Sequence, residues 1–271
     1  MFPSDYAMAA RTALSTEQLI ERTPAAFAET RDDSRTSERY TFIRTATLLD
    51  ALREAGFAPT DARQARTRRA LGLQHARHMI RFSHLRESVT LLDVIPQLVL
   101  VNAHDGSAAY ELRAGLYRPV CTNGLLAKLG DFGLIRVPHR GDVIARVVEG
   151  ALQIAQGFAA LGPVLESMHR RELDGLERLA FASYALELRY AERVAPPPID
   201  ATALLVPRRS EDAGRSLWQT FNTVQEHLMH GGLRGLTTRG RPTRTRAITA
   251  IREDVRLNAA LWQRALAMLP A

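Results

Sequence analysis

Polar and apolar positions alternate along residues 74–82, placing Ala76, His78, Ile80 and Phe82 on one side and His75, Arg77, Met79 and Arg81 on the other, as a half-buried strand requires. Two more strands, 97–102 and 108–120, flank Asp105-Gly106, a dipeptide suited to a hairpin turn because glycine accepts positive φ. Asn123-Gly124 marks a second turn, and "DFGLIRVPH" and "SERYTFIRT" (37–45) also alternate as strands. Ser15 opens a short helix, with Glu17 and Gln18 in its first turn. A second helix begins at Thr47 and Asp50, carries Leu48, Leu49 and Leu52 on one face and stops at Gly56.

After Gly141 the spacing changes to 3.6: Val143, Ile144, Val147, Val148, Leu152 and Ala155 form one stripe, broken at Gly162-Pro163. A helix over 173–190 offers Leu176, Leu179, Ala180 and Leu186, and the Pro-rich stretch "VAPPPID" (194–200) reads as a stiff connector. "SLWQTFNTVQEHLMHGG" predicts a helix burying Leu217, Trp218, Phe221, Val224 and Leu228, and a last helix spans 248–268. Between them "RGLTTRGRPTRTRA" (234–247) is basic, lacks an apolar period and reads as a loop. The pattern predicts an α+β fold: a mainly antiparallel sheet with helices over 1–140 and a helical region over 141–271, packed together as one compact unit.

Composition narrows the setting. Cys121 is the only cysteine of 271 residues, so neither an intrachain disulfide nor a cysteine zinc site can form, in keeping with a reducing cytoplasm. The start of the chain lacks the basic and apolar regions of a secretory signal, and no apolar run is long enough to span a bilayer, so neither export nor a membrane partner is expected. The formal net charge is +7, and Lys128 is the sole lysine. A GC-rich genome accounts for arginine in place of lysine but not for the positive sign, which favours a polyanionic partner.

The blocks "SERYTFI", "HMIRF", "LVLVNAHDGSAAYELRAGLYRPVCTNGL", "LLVPRRSED", "LWQTFNTVQEHLMHGGL" and "TRAITAIREDVRLNAALW" occur in order over nearly the whole chain. They resemble the phage/plasmid-like protein family of unknown function (domain of unknown function 932), with Ala103 where that family usually has serine. The resemblance implies a mobile-element setting and supplies no reaction and no catalytic residues.

Two kinds of candidate chemistry stand out. The polar motif Asn102, His104, Asp105, Gly106, Ser107 and Tyr110 suits a hairpin tip held by its own side chains, or one that binds a phosphate or a partner. A Ser107–His104 nucleophile pair lacks a visible oxyanion loop, His75 and His78 fall on opposite strand faces, and His227 and His230 lie at a helix end. A metal-dependent nuclease or hydrolase built on His104, Asp105, Glu211 and Asp212 is the alternative, as is a protein-binding module acting on a host defence or replication factor. The arginines form the second kind: Arg66, Arg68, Arg69, Arg77, Arg81 and Arg113 near the sheet, and Arg239, Arg241, Arg244 and Arg246 in the basic stretch. With Tyr40, Tyr110 or Tyr117 to stack bases, they suggest a mobile-element accessory protein that binds nucleic acid, single-stranded DNA above all, through an arginine-rich sheet face. No cofactor, metal or catalytic residue is assigned, and a homo-oligomer is compatible with the pattern.

Overall fold

The computed structural model describes residues 13–66, 73–85, 91–119, 123–129, 132–192 and 195–270. The fold is α+β, and internal contacts gather into two compact units, Met1–Leu161 and Gly162–Ala271.

The first unit is built on a six-stranded antiparallel sheet in the order β1 (Phe57–Gln64), β2 (His78–His84), β3 (Ile95–Asn102), β4 (Tyr110–Arg118), β5 (Asn123–Ala127), with β6 (Leu134–Val137) also on β4. Every residue of β3 is buried, which fits its central place and its almost continuous apolar sequence. Register sets Ile80, Leu100, Leu112 and Ile135 in one row across the sheet. Helix α3 (Val143–Gly157), capped by Asp142, packs on this row at Gly150, where an added Cβ would lie 2.9 Å from Leu112 Cδ1. The stretch that reads as the start of the helical half therefore belongs to the sheet unit. Helix α1 (Thr16–Arg22) starts at a Ser15–Gln18 capping box, and α2 (Thr45–Glu54) follows an irregular segment.

That segment corrects one expectation. Residues 37–44 form turns and extended chain without strand pairing, and α2 begins at Thr45 instead of Thr47. Alternation there reflects which side chains turn inward, while the Thr45 hydroxyl is committed to buried partners. Asn123-Gly124 lies within β5 instead of at a turn: Gly124 pairs with Tyr117 and is covered by the Arg81 guanidinium, which leaves no room for a Cβ. Strand β1 has no counterpart among the elements that periodicity predicts. Its Pro59 and the register shift before Asp61 break the alternation, as an edge strand allows.

The second unit is mainly helical. It contains α4 (Leu161–Arg170) from its second residue on, α5 (Gly175–Tyr190), α6 (Leu217–His230) and α7 (Ile251–Leu266). Capping boxes at Asp174–Glu177 and Ser216–Gln219 start α5 and α6, and Gly231 ends α6 at φ +63°. Trp218, Phe221, Phe181 and Trp262 form its aromatic centre, with Trp218 and Phe221 stacked at 6.0 Å and α6 buried almost throughout. Leu176, Leu179 and Ala180, expected on the packed face of α5, are exposed, Leu176 by 78%, and the face that the helix buries is Phe181, Ala182, Ala185, Leu186 and Tyr190. Residues 234–247 are not a loop: β7 (Arg234–Leu236) and β8 (Pro242–Arg244) pair as a two-stranded antiparallel ribbon. Among the described residues no helix is long and apolar enough to cross a membrane.

Candidate functional site

The motif Asn102 to Tyr110 divides between the interior and the surface. Asp105, Gly106 and Ser107 make the tip: the Ser107 amide donates to Asp105 Oδ1 at 3.0 Å, Arg35 pairs with Asp105 at 3.1 Å, and Gly106 takes φ +73°. Asn102, His104 and Tyr110 turn inward and are fully buried. Arg77, just before β2, donates to the Ser107 carbonyl at 2.7 Å and clasps the tip from outside.

Inside, Thr45 is the hub. His78 Nδ1 lies 3.0 Å from the Ala76 carbonyl and donates to it, so His78 Nε2 accepts the Thr45 hydroxyl proton at 3.0 Å. Thr45 Oγ1 then accepts from His104 Nε2 at 3.1 Å and from Asn102 Nδ2 at 3.2 Å. Asn102 Oδ1 accepts from His139 Nε2 at 3.0 Å, a proton also directed toward the Ala108 carbonyl at 3.2 Å. His139 stacks on Tyr40 at 4.4 Å and lies 4.5 Å from the Tyr110 ring, whose hydroxyl donates to the Ile43 carbonyl at 2.7 Å. One consistent set of protons accounts for each of these contacts with every one of the three histidines neutral.

Electrostatics agree with that assignment. Burial pushes His78 down to about 4 against the pull of the Ala76 carbonyl, and burial together with the neighbouring histidines pushes His104 to about 2. His139 is lowered by burial, partly offset by the Ala108 and Thr41 carbonyls. His104 Nδ1 and His139 Nδ1 are buried without a hydrogen-bond partner. His104 bonds Thr45 while Ser107 is exposed at the tip, so the two do not form a nucleophile and base.

The acidic candidates are also occupied. Asp105 faces Arg35, and Ser210–Asp212 form a short 3-10 turn after the arginines of "PRRSED". Those arginines brace α6: Arg209 pairs with Glu226 at 2.9 Å, and Arg208 donates to His227 Nδ1 at 3.0 Å and to the Gly231 carbonyl. His227 Nε2 donates to the Val206 carbonyl at 2.6 Å, so both of its nitrogens are engaged, and burial lowers its pKa. Among the described residues no group of three or more His, Cys, Asp and Glu side chains is placed to hold a metal.

The arginines fall into two groups. On the sheet face opposite α3, Arg81 and Arg113 flank Val99 in one row, and Glu111 and Arg136 adjoin in the next. Glu111 pairs with Arg113 at 2.7 Å and with Arg136 at 3.2 Å, and the Arg113 side chain is only 11% exposed. Arg81 lies against Gly124 with its Nε buried. Arg66 is exposed; Arg68 and Arg69 lie outside the described residues. Much of the sheet's guanidinium charge is therefore engaged inside the fold, a division of roles that spacing alone does not reveal.

In the second unit Arg239, Arg241, Arg244 and Arg246 are all exposed, and Arg234, the first residue of the same basic stretch but not among the sequence candidates, sits directly across the ribbon from Arg244. Among the described residues none of these five joins an ion pair. The ribbon is held firmly: Leu236 donates its amide to the Pro198 carbonyl at 2.9 Å, Thr245 and Leu233 bond one another, and Arg189 holds the Leu228 and Arg246 carbonyls. Between ribbon and Pro-rich connector lies an open groove of about 630 Å³, walled by Pro196, Pro198, Ile199, Val206, Arg234 and Leu236. Leu236 and Val206 are 58% and 63% exposed.

A sheet unit with a buried histidine network, joined in one chain to a helical unit bearing an arginine ribbon, defines an α+β protein. The chain belongs to the family described as Domain of unknown function (DUF932), whose model matches residues 34–262. It is similar to two Escherichia coli (strain K12) proteins, UPF0380 protein YfjQ and UPF0380 protein YafZ. Each is 39% identical over 256 residues, covering 94% of this chain and 92% of the relative. No solved structure matches the chain.

Proposed function

We propose that this protein binds nucleic acid, single-stranded DNA in particular, as an accessory factor of a mobile element, and that the β7–β8 ribbon is its principal contact. The observation that carries this reading is the direct pairing of Arg234 with Arg244 across an exposed ribbon that also bears Arg239, Arg241 and Arg246. Like charges directly opposite one another on paired strands destabilise the ribbon. A polyanion lying along it removes that repulsion and releases counterions as each phosphate is neutralised.

The adjoining groove supports a single strand as the bound form. Proline, isoleucine, valine and leucine side chains beside Arg234 suit bases whose faces are uncovered, which a duplex keeps stacked, and Asp200 is the one acidic residue on the groove wall. Thr237, Thr238 and Thr243 add hydroxyls for phosphate oxygens. The sheet face takes a smaller part, since Glu111 already compensates Arg113 and Arg136.

The test is a set of charge-neutralised full-length variants titrated with a labelled single strand and the matching duplex. Changing Arg239, Arg241, Arg244 and Arg246 to Gln is expected to remove most of the affinity for the single strand while leaving the melting temperature unchanged. Unaltered binding by that variant, with weakening instead on Arg66→Gln and Arg77→Gln, would move the interface to the sheet unit.

A further inference from the structure

The buried network adjoins an open pocket of about 290 Å³ beside the hairpin tip, which His139 and Tyr40 line. Ser37, Arg39 and Tyr40 form one side, Gly106 the tip side, and His139 and Arg140 the other. None of the residues lining it is acidic. Arg39 and Arg140 are exposed and, among the described residues, neither joins an ion pair.

The walls are built rather than incidental. Arg31 holds the carbonyls of Ser37 and Tyr40 at 3.1 and 2.8 Å, fixing the segment that carries Arg39. The Thr41 amide donates to the His139 carbonyl at 2.9 Å, tying that segment to the chain that carries Arg140. His139 is 8% exposed, is stacked on Tyr40, and keeps a buried Nδ1 without a hydrogen-bond partner. Gly106 packs the tip closely on the Arg35 backbone, where an added Cβ would lie 3.1 Å from the Arg35 carbonyl oxygen, and it lines the pocket from the hairpin side.

We propose that this pocket binds a phosphoryl group, with Arg39 and Arg140 as its two cationic arms, Ser37 as a hydroxyl donor and the His139–Tyr40 stack as its rigid wall. Two guanidinium groups without carboxylate partners, facing a space of this size, match a tetrahedral dianion by charge and by their planar donor geometry. The ligand is a phosphomonoester, either a free nucleotide or the phosphorylated end of a strand. This site lies in the first unit and stands independently of the ribbon.

Calorimetry on the full-length protein with inorganic phosphate and with deoxyadenosine monophosphate tests it. Both are expected to bind the parent and the ribbon-neutralised variant equally. Arg39→Ala and Arg140→Ala, both at exposed positions, are each expected to weaken binding by about tenfold or more, as removal of a charge-assisted hydrogen bond implies. Tighter binding of a 5′-phosphorylated than of a 5′-hydroxyl oligonucleotide identifies a strand end as the source, and a preference for the mononucleotide identifies a free nucleotide. Absence of heat with both phosphate probes at about 10 mM, a concentration that reveals even millimolar sites, overturns the proposal. So does binding that survives removal of both arginines in variants that melt like the parent. Neither result touches the ribbon, whose affinity is read separately.

Discussion

At the scale of single residues the hub is Thr45, whose one hydroxyl donates to His78 and accepts from His104 and Asn102. Thr45→Val keeps the shape and leaves three buried polar groups without that partner. The variant is expected to lose about 2–4 kcal/mol in urea unfolding, since each unmet buried group costs about 1–3 kcal/mol. Thr45→Ser, which keeps the hydroxyl, is expected to recover most of it. The same histidines set a pH dependence. Their folded pKa values lie below the ordinary histidine value, so the unfolded chain binds more protons in mildly acidic solution. Stability is therefore full above about pH 6.5 and falls as the pH drops toward about 4, where His78 titrates in the folded state. The decrease is about 1.4 kcal/mol per pH unit for each such histidine. Denaturation midpoints that are flat between pH 7 and 5 would contradict the neutral network. Sequence made His78 visible as a histidine on an apolar strand face, and it flagged Asn102 and His104. Thr45 and His139 stayed hidden, because what unites them is spatial convergence from distant segments, which no local period records.

At the scale of elements, periodicity recovered the sheet's inner strands and the long helices, whose apolar residues are numerous enough to mark them even where, as in β3 and α6, burial is almost continuous. It failed where an element is stabilised by something other than an apolar stripe. Residues 37–44 are pinned by Arg31 and by the Thr41 amide, so their alternation marks burial rather than pairing. The ribbon has three-residue strands of Arg, Gly, Leu, Pro and Thr, and it is shaped by its own pairing and by Pro198. Gly235 is the joint: an added Cβ would come 2.0 Å from the Pro198 carbonyl oxygen, a backbone atom that cannot step aside cheaply. Gly235→Ala is expected to lift the ribbon from the connector and weaken nucleic-acid binding several-fold, with the helical core intact by circular dichroism. Retained affinity would show that the groove does not matter. Arg81 illustrates the reverse case, a candidate contact residue that instead covers Gly124 inside the sheet unit, so its charge reversal tests folding more than binding.

At the scale of the whole molecule, a net charge of +7 is spread over many arginines, and the structure separates those already engaged from those left exposed. Arg113, Arg136, Arg208 and Arg209 have carboxylate, imidazole or carbonyl partners, whereas the ribbon arginines have no ion pair among the described residues. Composition could announce the excess charge but not its division, because that division is decided by which carboxylates the fold brings beside each guanidinium. The direct test is the salt dependence of affinity for a short single strand, compared between the parent and the Arg239, Arg241, Arg244 and Arg246 to Gln variant. If the ribbon carries the phosphates, the slope of log K against log salt falls by about 0.7 for each phosphate that is no longer neutralised, roughly three units over the four positions. An identical slope in parent and variant, or no measurable binding by the parent at about 50 mM salt, where phosphate contacts are strong, would contradict the account.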